Sequence, residues 1–185
     1  MGNTGMSDSG MSKAQSGVGA GRRIATDGDG FILHQDDRRA MLTERDHYEQ
    51  PQAACIEALK IVQRRHGWVP DGAIAAIAET LGVGTGEVEG VATFYSLIFR
   101  QPVGRHVILL CDSSSCFLTG SEELSAALSE RLGIRFGETT EDGRFTLLPV
   151  CCLGACDRGP AMMIGDDTFG PVAVDDLDEL LGAYS

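Results

Sequence analysis

The chain has 185 residues, 43% of them hydrophobic and 23% charged, which is enough for a packed core and excludes wholesale disorder. Its formal charge is -12, and that excess of acid excludes nucleic acid and anionic membrane surfaces as main partners, because both require basic patches. Six cysteines in this length are too sparse for a disulfide-built mini-protein.

Residues 1–40 read as a disordered or extended tail, rich in Gly and Ser and nearly free of aliphatic pattern. They hold five basic and five acidic residues, so the whole -12 falls on residues 41–185. The opening stretch has no apolar h-region, and no run of 18 apolar residues occurs anywhere, so neither a secretory signal nor a membrane span is expected. A reducing, cytoplasmic setting follows. There, clustered cysteines serve as metal ligands or redox groups more often than as disulfides.

Residues 41–101 read as a helical subdomain. Pro51 suits the first turn of a helix on which Cys55, Leu59 and Val62 form one apolar stripe, and Gly67 stops it. Pro70-Asp71 opens the next helix, lined by Ile74, Ile77 and Leu81 and stopped by Gly82. Thr85 is the expected N-cap of a third, with Glu87 in its first turn and Val88, Val91, Ala92 and Tyr95 on its buried face. Helices this short need one another, so a small bundle is predicted.

Pro102-Val103-Gly104 marks a hinge in composition, and residues 102–185 follow another period. The unbroken apolar run from His106 to Leu110 reads as a strand buried on both faces. Thr119 to Leu132 is helical, Arg144 to Val150 is a second strand, and Ala161–Gly165 with Phe169–Val172 read as a hairpin turning at 166–168. Val174 to Tyr184 is a last helix. The predicted class is α+β. A helical bundle precedes an α/β domain of order β-α-β-β-β-α, whose mixed sheet resembles the thioredoxin-like arrangement.

Cys111 and Cys116 are spaced C-x4-C directly after the first strand of this domain, and Cys152 and Cys156 are spaced C-x3-C directly after the second. If those strands are sheet neighbours, both loops leave the same sheet end and the four thiols converge. Tetrahedral zinc and an iron–sulfur cluster both use such a set. The x4 spacing lies at the upper edge of the zinc range, which tilts the reading toward iron and sulfur. Gly154 suits close backbone approach inside the second loop, where N–H groups can reach sulfur. The absence of C-x-x-C argues against dithiol redox chemistry.

The stretch 146–164, TLLPVCCLGACDRGPAMMI, with CDSSSC at 111–116, resembles the thioredoxin-like [2Fe–2S] ferredoxin subunit of respiratory complex I, an NADH–quinone oxidoreductase. GWVPDGAI (67–74), GVATFYSLI (90–98) and DGRFTLLP (142–149) carry the resemblance through residues 44–185. It implies one [2Fe–2S] cluster held by Cys111, Cys116, Cys152 and Cys156, with no catalytic residues on the chain itself. It also implies a partner subunit that carries FMN and NADH, onto which the helical subdomain docks, further subunits of the peripheral arm, and a place on the inner face of the membrane through the complex. Similar subunits serve the diaphorase modules of NAD-linked hydrogenases and formate dehydrogenases, which stand as alternative hosts. A zinc-stabilised interaction module is the alternative from another class.

Other residues read more plainly. Gly82 to Gly86 is a glycine run without a preceding strand, so it is no dinucleotide fingerprint. Cys55 is expected in a helical core, and Cys151 as a packed strand-end thiol rather than a ligand. His34, His47, His66 and His106 are scattered and show no ligand pair. Trp68 and Tyr95 are expected as core or interface anchors, and Met162-Met163 as core filler. Asp175, Asp176, Asp178 and Glu179 form an acidic first turn. Arg158 is a surface charge or a partner contact.

Overall fold

A computed structural model describes residues 31–184, so the tail expected over residues 1–30 lies outside the described residues. Residues 35–40, expected to belong to that tail, are helical instead. Helix α1 spans Gln35–Arg45 and opens at His34, whose Nδ1 accepts the Asp36 N–H at 3.2 Å. Its anchors are Met41, fully buried, and Asp37, which pairs with the Arg65 guanidinium from a distant helix. An ion pair 28 residues apart leaves no apolar period, which is why residues 35–40 look like tail in the sequence.

The next helices follow the apolar stripes. Pro51–Ala54 forms a 3₁₀ turn that runs into α2, Cys55–His66, and Gly67 ends it in the left-handed region at φ 84°. Helix α3 spans Asp71–Leu81 and α4 spans Thr85–Phe94. Gly84, not Thr85, occupies the N-cap of α4, and Glu87 reaches back to accept the Gly84 N–H at 2.8 Å. Leu59, Val62, Ile77, Leu81 and Val88 close a core of their own. Tyr95 departs from its expected buried face and is 47% exposed. The helix stops at Phe94, and extended backbone at Tyr95 carries the ring off the stripe.

The segment after α4 is tied down by polar side chains. The Gln63 amide donates to the Leu97 carbonyl at 2.8 Å and accepts the Phe99 N–H at 2.7 Å. Arg100 donates to the Val69 carbonyl, to Asp71 at 2.6 Å and to Glu89 at 3.0 Å. At Gly104 the chain passes residues 144–145 so closely that a Cβ would lie 2.9 Å from the Phe145 carbonyl carbon.

The sheet has four strands: β1 His106–Cys111, β2 Phe145–Val150, β3 Met162–Ile164 and β4 Asp167–Phe169, in the order β2-β1-β3-β4. β1 and β2 are parallel, with Ile108 opposite Leu147 and Cys111 opposite Val150, and the other pairs are antiparallel. Ile108, Leu110, Leu147, Met162 and Ile164 share one face and pack with helices α6, Ser121–Leu132, and α7, Leu177–Gly182. Val107, Leu109 and Met163 belong to the other face and border a cavity of about 470 Å³ shared with Gln63, Leu97 and Phe99.

Several boundaries differ from the sequence reading, among them the last strand, expected over Phe169–Val172 and found at Asp167–Phe169. The hairpin turns at Gly165-Asp166 rather than at 166–168, because Gly165 takes φ 60° and Asp167 already pairs with Ile164. The last helix starts as a 3₁₀ turn at Val174–Asp176. A short helix α5, Ser114–Leu118, sits inside the first cysteine loop, where a serine run gives no periodic signal.

Candidate metal centre

Parallel pairing decides where the cysteines meet. Cys111 is the last residue of β1 and lies opposite Val150, the last of β2, so both loops leave the same sheet end. The Asp112 N–H donates to the Val150 carbonyl at 3.0 Å, and the Cys111 N–H to the Ala161 carbonyl at 3.1 Å. These bonds fix the roots of the first loop and of the chain that follows the second. Helix α5 then turns Cys116 inward. The Thr119 hydroxyl donates to the carbonyls of Ser115 and Cys116 at 3.0 and 3.1 Å and closes that turn.

The second loop presses on the first. A Cβ on Gly159 would sit 2.6 Å from the Thr119 Oγ1 and 3.6 Å from the Cys116 sulfur, so only glycine lets the loops approach. Gly154, at φ 76°, presents its N–H to the Cys152 sulfur at 3.3 Å. Cys111 and Cys116 are each 1% exposed. Cys152 and Cys156 reach the surface.

The thiols lie two at each strand end, Cys111 with Cys116 and Cys152 with Cys156. Burial pushes the Cys111 thiol up, but hydrogen bonds from the Ser113 and Leu153 backbones, from Cys116 and from the Ser113 hydroxyl outweigh it, and the net displacement is downward. Cys116 is raised, first by burial and then by its bond to Cys111, with the charges of Cys111 and Cys156 adding to it. Cys156 is raised chiefly by its bond to Cys152 and by that residue's charge, while the Ser115 hydroxyl from the other loop works against the shift. The two pairs therefore feel each other across the loops. Among the described residues no three His, Cys, Asp or Glu side chains close on a single point. An all-sulfur donor set arranged two and two is one that both a two-iron centre and a tetrahedral ion can use.

The structure thus brings Cys111, Cys116, Cys152 and Cys156 to one sheet end. Cys55 is 1% exposed in the helical core, where burial, and then the charge of Glu87, raises its thiol. Cys151, expected to be packed, is exposed: β2 ends at Val150, so Cys151 lies beyond the ladder. Trp68 is buried at 8% exposure. His66 stacks against Phe31 with centroids 5.2 Å apart, and His106 against Tyr184 at 5.3 Å, so neither joins the thiols. Ser113 and Ser115 are the functional candidates that spacing did not single out; their signal is a hydroxyl within the C-x4-C loop.

Residues 42–185 match the family model of the thioredoxin-like [2Fe-2S] ferredoxins. The chain belongs to this family. Its relatives among these ferredoxins include the E-type subunit of the NADH-quinone oxidoreductase of Pseudomonas aeruginosa, 59% identical over 84% of this chain and 94% of that protein. The corresponding protein of Escherichia coli K12 is 58% identical over 83% of this chain and 93% of that protein. Within the thioredoxin-like ferredoxins, this chain therefore stands among oxidoreductase subunits of the complex I type. A chain of the NAD+-reducing [NiFe]-hydrogenase in its H2-reduced state superposes with a TM-score of 0.58 at 24% identity, over 69% of this chain and 22% of that chain. At that identity the likeness is one of fold.

Proposed function

We propose that this chain is the iron–sulfur electron-transfer subunit of an NADH–quinone oxidoreductase, with Cys111, Cys116, Cys152 and Cys156 holding one [2Fe–2S] cluster that exchanges single electrons with the flavin of a partner NADH-binding subunit. The observation that carries this reading is that the parallel strands β1 and β2 end side by side, so the loops that bear the two cysteine pairs leave the same sheet end. Family membership over residues 42–185 supports it independently.

The chain's own residues have three tasks. Cys111 and Cys116 supply a shielded pair of ligands, and Cys152 and Cys156 supply a pair at the surface. Gly154 N–H and the Ser113 and Ser115 hydroxyls donate toward sulfur, which favours the more negative state. Asp112 and Asp157, both exposed, oppose added negative charge and pull the potential the other way. NADH and FMN fall to the partner: Gly82 ends α3 and Gly84 caps α4, so the glycine run joins two helices and no strand feeds it. Among the described residues no helix is long and apolar enough to cross a membrane. On this reading the chain reaches the inner membrane face through the complex.

Anaerobic purification of the full chain, followed by iron, labile sulfide and zinc analysis and paramagnetic resonance of the reduced protein, tests the reading. Two irons and two sulfides per chain with a reduced [2Fe–2S] spectrum are expected, as about one cluster per four thiolates requires. A colourless protein with stoichiometric zinc would replace it by the interaction-module reading.

A further inference from the structure

The segment just after β4, residues 170–172, meets the turn that carries Cys156. Strand register brings it there. β3 starts at the cysteine end of the sheet, with Met162 opposite Leu110. β4 runs back along it, so Phe169 lies opposite Met162 and the chain leaves β4 at that same end. At Gly170 a Cβ would overlap the Arg158 carbonyl oxygen and lie 3.4 Å from the carbonyl carbon. Two residues on, the Val172 N–H donates to the Pro160 carbonyl at 3.0 Å. Val172 is itself buried in the sheet core, in the same cluster as Leu177. This connector is therefore anchored from within. The turn it meets is not: its regular structure amounts to the 3₁₀ piece Cys156–Arg158, and all three of those residues are exposed. The turn is pinned instead by its neighbours, at Arg158 and Pro160 by the connector and at Gly159 by Thr119, beside the Cys116 sulfur.

We propose that Gly170 is a positioning residue for the metal centre: its bare Cα lets the connector close on Arg158, and the closed connector holds the Cys156 turn at the distance from Cys116 that four-sulfur ligation needs. This rests on the electron-transfer reading above and adds to it a residue that acts on the centre through Arg158. An added methyl must move one of two backbones, because a carbonyl oxygen has no rotamer by which to yield. The connector is held by the core and the turn is exposed, so the turn gives way and carries Cys156 with it. Loss of such support behind a ligand weakens metal binding by about 10- to 100-fold.

The test uses the full chain loaded with its centre. Its readouts are paramagnetic resonance of the reduced form, the reduction potential, the rate of iron loss to a chelator and the melting temperature. Gly170→Ala is expected to shift the g values and the potential and to lose iron about tenfold faster. Gly165→Ala is the control. It lies in the turn between β3 and β4 at φ 60°, where a Cβ meets nothing within 4 Å. It should lower the melting temperature through its backbone conformation and leave spectrum, potential and iron loss unchanged. Should Gly170→Ala fail to fold, Val172→Ala decides: it keeps the N–H and loosens the anchor of the connector. It is expected to speed iron loss where Leu59→Ala, a truncation in the helical core, does not. Unchanged g values and iron loss in Gly170→Ala overturn the proposal, as does an equal change in Gly165→Ala or, in the second arm, equal iron loss from Val172→Ala and Leu59→Ala. Failure of the underlying reading shows separately, as a missing [2Fe–2S] spectrum in the unmodified chain.

Discussion

Leu59, Val62, Ile77 and Leu81 lie wholly out of solvent on helices that end at Gly67 and Gly82, whereas the sheet half turns on Gly104, Gly159 and Gly170, where a Cβ would meet another segment at 2.9, 2.6 and 2.3 Å. The two sets of glycines do different work. In the helical half they permit a left-handed turn in open space, and aliphatic burial supplies the stability. In the sheet half they permit segments to touch, and that close fit adds to an aliphatic core of its own. A helical core tolerates change in proportion to the volume removed. A site built on close approach fails by steps.

That contrast can be broken or sharpened, and the largest expected effect falls at the thiols. Cys152→Ala should abolish the metal centre, while Cys151→Ala, at an exposed thiol beyond β2, should leave metal content and spectrum intact. Loss of the centre in the Cys151 variant alone would show that the wrong sulfur is assigned. Next, Leu59→Ala should lower unfolding free energy by about 2–5 kcal/mol while the spectrum of the folded protein stays as it was, measured by denaturant melts with the centre monitored in parallel. A changed spectrum would mean that the two cores act as one.

Gly104→Ala should cost about 1–3 kcal/mol, because the added methyl must displace the β2 backbone. The same melts check it, and a neutral outcome would mean that the crossing is loose. Asp37→Asn removes one partner of the pair that holds α1. Because the Arg65 side chain is 42% exposed, the expected loss is small, and the pair's contribution should weaken with salt in the unmodified chain. The smallest effect is alkaline. Burial, and then the hydrogen bond to Asp167, pushes the Tyr184 phenol up to about 12. A raised folded value means that its contribution is fully present below pH of about 10 and is lost as pH rises through about 12. Tyr184→Phe should flatten that part of the stability curve, and an identical curve would place the alkaline sensitivity elsewhere.

Much of the fold was legible because its signals are local. Apolar stripes and stop glycines located α2, α3 and α4, and the run from His106 located β1 to within one residue. The four candidate ligands could be grouped because each pair directly follows a strand and parallel neighbours share an end. What escaped was non-local or aperiodic. Helix α1 depends on an ion pair between Asp37 and Arg65, and no window around residue 37 contains its partner. The serine run before Cys116 encodes α5 through the loop it must cross rather than through any period. Tyr95 fits the apolar stripe by spacing, yet the backbone leaves the helix at that residue. Cys151 resembled a packed thiol because its neighbour Val150 packs against the Cys111 and Cys116 cluster, and a strand end is invisible to hydropathy.

The register between β1 and β2 carries a further consequence. Cys111 and Cys116 are separated from Cys152 and Cys156 by all of α6 and by β2, and the parallel pairing that sets Cys111 opposite Val150 brings the two sets to one sheet end. In an unfolded chain the four sulfurs are two distant dithiols, each with little hold on a metal centre. Loading is then a proofreading event: a chain whose strands have slipped by one residue presents the wrong sulfurs and cannot be filled. Whatever free energy the centre gains on binding also locks the loop closure between β1 and β2.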